Sequence, residues 1–181
     1  MGPQEYYSKS RLDGFSFSGF NLVDEVNALN PEKVIDVGCG ANFFKGLIHN
    51  LVGFDKDYHP NLDFLAKVED VDYPENSVDV VLLLGPLQYM PKSDHYTQLK
   101  KIVKWVKPGG YLVYRIHPFA DYVGHNTQYD DSFWPVDQRM TYADFNEWTD
   151  NLNLEVYKDI VLDKNINFPK VERLVWWWRK K

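Results

Sequence analysis

The sequence predicts an α/β fold: a doubly wound, mostly parallel sheet with helices on both faces, closed by an antiparallel pair of strands. Three observations lead there. Short runs rich in Val, Ile and Leu, such as Val34–Val37 and Val78–Leu84, alternate with stretches of helical spacing, as in a parallel sheet of buried strands. The first such run breaks into a glycine-rich turn, Asp36-Val37-Gly38-Cys39-Gly40. The C-terminal part of the chain reads instead as two strands, 154–162 and 171–179, on either side of an Asn-rich, proline-containing segment.

Each element follows from local pattern. Residues 1 to about 19 are mixed polar and aromatic. Apolar residues at 22, 23, 26 and 29 then give helical spacing, and Asn30-Pro31 ends that helix because the residue before proline is pushed out of the α region. The first strand occupies about 33–37, and a short helix is expected from Asn42 to His49 after the glycine turn. Asn50–Asp55 is a second apolar run ending in an acid, and Leu62–Val68 reads as either a short helix or a strand. Val78–Leu84 is a central strand. Residues 99, 102, 103 and 106 line one face of a helix over 95–106. Lys107-Pro108-Gly109-Gly110 stops that helix before a strand at Tyr111–Ile116. Residues 118–140 lack periodicity but are rich in aromatic, His and Asp side chains; a loop this long is either functional or disordered, and it is expected on the substrate side. Thr141, with Asp144 three residues on, opens the last helix.

Composition narrows the class. A chain of 181 residues is expected to form one domain, here 1–181 with an N-terminal tail and cap helix over 1–30. The longest strongly apolar run is far too short to span a bilayer. Cys39 is the only cysteine, so no internal disulfide can form; with no leader-like N-terminus, the expected compartment is the cytoplasm. The formal charge of −6 argues against a broad phosphate-binding face, and so against a nucleic-acid substrate. One cysteine and five scattered histidines show no metal-site spacing.

In a parallel sheet the carboxyl ends of neighbouring strands line one edge, where ligands bind. That edge gathers Asp36, Asp55, the Glu69-Asp70 pair and Gly85. The glycine turn would present backbone amides and a helix N-terminus to it. A carboxylate at Asp55 suits the two hydroxyls of a ribose. An acid and the backbone at 70–71 suit the exocyclic amine and a ring nitrogen of adenine. Together these stations describe an adenosine without a large phosphate tail.

From about residue 30 to 179 the chain resembles the class I S-adenosylmethionine-dependent methyltransferases, whose fold is Rossmann-like. The resemblance rests on Asp36-Val-Gly-Cys-Gly, on Val52-Gly-Phe-Asp55 and on Asp70-Val71-Asp72-Tyr73-Pro74. Leu84-Gly85-Pro86-Leu87-Gln88-Tyr89, Lys107-Pro-Gly-Gly and the terminal strand pair complete it. It implies S-adenosyl-L-methionine as cofactor and S-adenosyl-L-homocysteine as product. It also implies that Asp36, Gly38, Cys39, Gly40 and Asn42 surround the methionine moiety and that Asp55 and Lys56 flank the ribose. Glu69 or Asp70, with the Val71 amide, would read adenine, and the Leu84 or Gly85 carbonyl would face the amino-acid end. Asn42 stands where the family usually has a third glycine, so the turn is expected to be shaped differently there.

The acceptor side is sparsely marked. Methyl transfer from a sulfonium is an in-line displacement, in which positioning supplies much of the rate and a base is needed only when the nucleophile must lose a proton early. His117 is the candidate base, against a structural or substrate-contact role. Tyr89, Tyr122, His125 and Trp134 are candidate substrate contacts. Cys39 reads as a packing residue, and Trp176–Trp178 as an alternating run with one core and one exposed face. No Asn/Asp-Pro-Pro-Tyr or Pro-Cys motif of base methyltransferases is present. A small-molecule acceptor is the expected partner. The competing readings are a catalytically silent nucleoside-binding module and a nicotinamide-dependent oxidoreductase.

Overall fold

A computed structural model describes residues 19–121, 136–164 and 172–181. Asn21–Ala28 forms α1, with Leu22 and Val26 on its buried side. β1 is Val34–Val37, β2 Leu51–Asp55 and β3 the two-residue Phe64–Leu65. β4 spans Val78–Leu83, α2 Lys92–Trp105 and β5 Val106–Ile116. α3 covers Tyr142–Asn151, followed by β6, Leu154–Lys164, and β7, Glu172–Lys180. Short 3-10 turns occupy Val68–Asp70, Pro86–Tyr89 and Val136–Gln138.

The strands form one seven-stranded sheet in the order β3-β2-β1-β4-β5-β7-β6. β1 lies parallel to both β2 and β4, which brings Asp36 level with Gly53 on one side and Leu82 on the other. β7 inserts antiparallel between β5 and β6. The strand order reverses between β1 and β4, the switch point at which a crevice opens beyond the carboxyl ends of a parallel sheet.

Side chains alternate across the sheet, so each face carries its own apolar layer. α1, Phe44 and Ile48 cover Val34, Val80, Leu82 and Val113. α2 and α3 cover Ile35, Val37, Val81, Leu83 and Leu112 on the opposite face. The helices therefore flank the sheet on both sides, as expected. The tryptophan run departs from expectation: Trp177 faces the α1 layer and Trp176 and Trp178 the other, and all three are buried. An alternating run has an exposed face only where one side of the sheet is bare, and neither is bare here.

Two further expectations are corrected. No helix follows the glycine turn. Residues 41–50 form a chain of turns with one bridge, Lys45 to Ile48. Asn42, Gly46 and Asn50 all adopt positive φ there, of 53°, 78° and 56°, and residues in that conformation interrupt a right-handed helix. β5 also begins earlier than Tyr111. Val106 already pairs with Val78, and the next pair is Tyr111 with Val80, so Lys107–Gly110 bulges out of a continuous strand. A Cβ at Gly110 would lie 2.8 Å from the Asp79 carbonyl oxygen, which explains a residue without a side chain at that point. The segment left open between helix and strand resolves into β3 and the 3-10 turn at Val68–Asp70.

The capping box at Thr141 is present in full. Its side chain accepts from the Asp144 amide, and the Asp144 carboxylate accepts from the Thr141 amide at 2.7 Å. Lys92 of α2 donates to the same carboxylate and ties the two helices together.

Candidate functional site

Asp36 lies inside β1, buried, with its side chain on the α1 face of the sheet. Burial pushes its carboxyl up to about 8, while Arg115 on β5 pulls it down and the nearby Asp55 pushes it further up. The chain then turns at Gly38, φ 64°, and Gly40, φ 57°. A Cβ at Gly38 would stand 2.4 Å from Cβ of Pro86, so glycine is what allows the loops after β1 and β4 to touch. A Cβ at Gly40 would meet nothing within 4 Å. The backbone there borders open space at the switch point, a cradle that a side chain would fill.

The turn is fastened to the end of β2. The Cys39 amide donates to the Phe54 carbonyl at 3.0 Å, and the Gly40 amide donates to Asp55 Oδ2 at 2.9 Å. The other oxygen, Asp55 Oδ1, accepts from the Asp57 amide at 2.9 Å. Both oxygens of this buried carboxylate are thereby oriented. Burial, reinforced by Asp36 and Asp55, pushes the Cys39 thiol upward, so it is a packing thiol and not a thiolate.

Asn42 takes the left-handed conformation usually supplied by glycine, which asparagine tolerates better than most residues. The turn therefore keeps a glycine-like backbone at the position where a different shape was expected. Its buried amide nitrogen donates to the Asn61 carbonyl at 2.9 Å and to Asp63 Oδ2 at 3.3 Å. Asp63 also accepts from the Gly53 amide at 2.8 Å and from Lys45 Nζ at 2.8 Å. Although burial works against its charge, these bonds hold the Asp63 carboxyl below its ordinary value. Gly53 leaves the space that Asn42 fills, since a Cβ there would lie 2.6 Å from Asn42 Oδ1.

The other described candidates lie in the segments that follow the strands. Lys56 is exposed, with its ammonium 2.8 Å from Asp57. Glu69 and Asp70 are both exposed on the 3-10 turn, while Val71 after it is buried in extended backbone. The Leu84 carbonyl accepts from Arg115 Nη2 at 3.1 Å. Gly85 has φ 125°, and Tyr89 ends the 3-10 turn that follows. His117 comes directly after β5, its amide donating to Gln88 Oε1 at 3.0 Å. Tyr122, His125 and Trp134 lie outside the described residues.

Four residues escaped the sequence reading. Asp63 carries no motif. Gln88 is a polar residue inside a recognised segment, with nothing to mark its side chain as a strut. Gly53 left a usable signal, because an isolated glycine inside a strand points to close approach by another group. Arg115 left one too, as a cation in an otherwise apolar strand.

The profile described as a methyltransferase domain matches residues 35–114, which run from β1 through the glycine turn and Asp55 to β5. Residues 35–114 thus carry a methyltransferase domain, for which S-adenosylmethionine is the expected methyl donor. The seven-stranded sheet with its antiparallel β7 is Rossmann-like. Solved structures share the fold. The Burkholderia thailandensis 1,6-didemethyltoxoflavin-N1-methyltransferase, with 1,6-didemethyltoxoflavin and S-adenosylhomocysteine bound, matches with TM-score 0.70 at 18% identity, over 100% of this chain and 91% of its own. A Thermotoga maritima methyltransferase described as a possible histamine N-methyltransferase matches with TM-score 0.65 at 16% identity, over 98% and 95% of the two chains. The [4+2]-cyclase SpnF matches with TM-score 0.61 at 15% identity, over 88% and 78%. At such identities the likeness speaks for the fold alone. Among the described residues, no helix is long and apolar enough to cross a membrane, and no cluster of three or more His, Cys, Asp or Glu is placed to hold a metal ion.

Proposed function

We propose that this methyltransferase acts as a single domain in the cytoplasm and methylates a small-molecule acceptor. The observation that carries the reading is the open space in front of Gly40, bordered by a turn that is fastened to Asp55. The cofactor would supply a methyl group already activated on a sulfonium. The backbone of Gly38, Cys39 and Gly40, shaped by Asn42, would take the methionine portion, with Asp36 beneath it. Asp55, already oriented by two amides, would accept from the ribose hydroxyls, and Lys56 would flank them. Glu69 or Asp70, with the Val71 amide, would read adenine, and the Leu84 or Gly85 carbonyl would face the amino-acid end.

The acceptor would enter beside Tyr89 and His117, with Tyr122, His125 and Trp134 as further candidate contacts. His117, tethered through its amide to Gln88, would take a proton where the acceptor must lose one. The small-molecule class is supported by the acidic balance of the chain and by the 1,6-didemethyltoxoflavin named for the Burkholderia enzyme. The test is release of S-adenosylhomocysteine from a panel of small amine, hydroxyl and ring-nitrogen acceptors. Turnover with one of them is expected, and turnover only with a protein or nucleic acid contradicts the small-molecule reading. A second reading, ligand binding without methyl transfer, draws on the cyclase that shares this fold. A protein that binds the cofactor yet never consumes it with any acceptor favours that reading.

A further inference from the structure

Gln88 sits in the 3-10 turn after β4 and is only 7% exposed. Its Oε1 accepts from the His117 amide at 3.0 Å, which ties that turn to the end of β5. A backbone N–H can bond only to the oxygen of a side-chain amide, so this bond fixes the whole group and turns Nε2 away from His117. Gly85 gives the amide its room, since a Cβ there would lie 3.1 Å from Nε2. Among the described residues, Nε2 has no hydrogen-bond acceptor. A donor left unpaired in so buried a side chain loses its hydration without replacement, which native structures rarely tolerate unless another molecule supplies the acceptor.

We propose that Gln88 Nε2 donates a hydrogen bond to the methyl acceptor, an inference that rests on the methyltransferase reading of this site. Gln88 thereby selects an acceptor with a carbonyl oxygen or a bare ring nitrogen beside the atom that is methylated. The two ends of the 3-10 turn face different neighbours. Pro86 closes on Gly38 of the glycine turn, whereas Gln88 bonds to the residue after β5. The glycine turn and Asp55 belong to β1 and β2, so Gln88 stands on the opposite side of the strand-order reversal, between β4 and β5. Its free nitrogen has hydrogens to give and no lone pair to offer. An ammonium or a plain amine without a neighbouring acceptor atom would leave that nitrogen unpaired. A site built to hydrogen-bond one group of a substrate rejects an analogue lacking it far more strongly than an apolar pocket does. The His117 bond also fixes the amide before any ligand arrives, which lowers the ordering cost of binding.

Release of S-adenosylhomocysteine would be followed with two sets of small acceptors. One set, 2-pyridone, uracil and 2-aminopyridine, carries a carbonyl oxygen or ring nitrogen next to the reactive atom. The other, piperidine, aniline and indoline, carries neither. The wild type should favour the first set. Gln88→Glu keeps an oxygen for the His117 amide and removes the donor, while Gln88→Met removes both. Each should raise KM for the first set by about tenfold or more, as expected for loss of a buried hydrogen bond. Calorimetric affinity for S-adenosylhomocysteine should stay within about threefold of the wild type on the same scale. A wild type that favours the second set overturns the proposal, as do folded variants that turn over the first set like the wild type. Variants that lose S-adenosylhomocysteine to the same degree overturn it too, because Gln88 would then serve the cofactor or the fold. No turnover of either set by a wild type that binds S-adenosylhomocysteine overturns the proposal and leaves the cofactor reading standing. A wild type that does not bind S-adenosylhomocysteine removes the methyltransferase reading itself, and this inference with it.

Discussion

Asp55 shows what a single residue contributes before any ligand is present. The Gly40 and Asp57 amides fix its two oxygens, so the carboxylate is oriented by the same turn that borders the open space. Asp55→Ala should weaken S-adenosylmethionine binding by about 1–3 kcal/mol, from loss of charge-assisted hydrogen bonds. Titration calorimetry would measure it, and an unchanged affinity would assign the ribose to another residue. Gly53 and Asn42 form a pair whose sizes are matched. Gly53→Ala should cost about 1–3 kcal/mol by overpacking against the Asn42 side chain, and combining it with Asn42→Gly should recover part of that loss in urea melts. Asp36 gives a dependence on pH. Its carboxyl is raised from 3.8 to about 8, so the folded state holds a proton that the unfolded state releases across this window. Wild-type stability should therefore fall relative to Asp36→Asn as pH rises from about 4 to about 8, by up to about 1.4 kcal/mol per unit. Chemical denaturation at pH 5 and pH 8 would check this. A wild type that gains on the variant with rising pH would mean that Asp36 is ionised and paired with Arg115.

Elements defined by hydrophobic pattern were legible. α1, β1, β2, β4, α2 and α3 announce themselves through apolar spacing or caps, because burial against a sheet demands those periods. The segment after the glycine turn was not, because its conformation is set by positive-φ residues and by the Asp63 bonds, neither of which leaves a periodic trace. The same blindness hid Arg115: proximity between β5 and β1 comes from sheet order, and sheet order is not written in any one segment. Two predictions belong at this level. Thr141→Ala removes the acceptor in the α3 capping box and should cost about 1 kcal/mol of stability by thermal or urea unfolding. His95 of α2 packs in the core against Tyr114 and Trp148, with its Nε2 paired to the tyrosine hydroxyl. Burial pushes it down from 6.5 to about 3, against the pull of Asp144. The unfolded chain then binds a proton that the folded chain refuses, so stability should drop as pH falls below about 6.5, by up to about 1.4 kcal/mol per unit. His95→Gln should flatten that part of the stability–pH curve; an unchanged slope would place the acid sensitivity elsewhere.

Across the whole molecule, the sheet order is what turns scattered residues into a site. β1 sits at the reversal, with β2 bringing Asp55 from one side and β4 and β5 bringing Leu84 and Arg115 from the other. Two covered faces make the sheet a rigid platform, and the loops at its carboxyl edge take their geometry from it. The proposed cofactor side leaves a sequence signal because most of its stations follow apolar strands. The acceptor side leaves little, because its candidates include residues in a stretch with no periodicity. If this edge binds S-adenosylmethionine, isothermal titration of the full chain with S-adenosylmethionine and S-adenosylhomocysteine will show it. Saturable one-site binding of both, weakened in Asp55→Ala, is the expected result; no heat of binding from the folded wild-type protein with either ligand would contradict it.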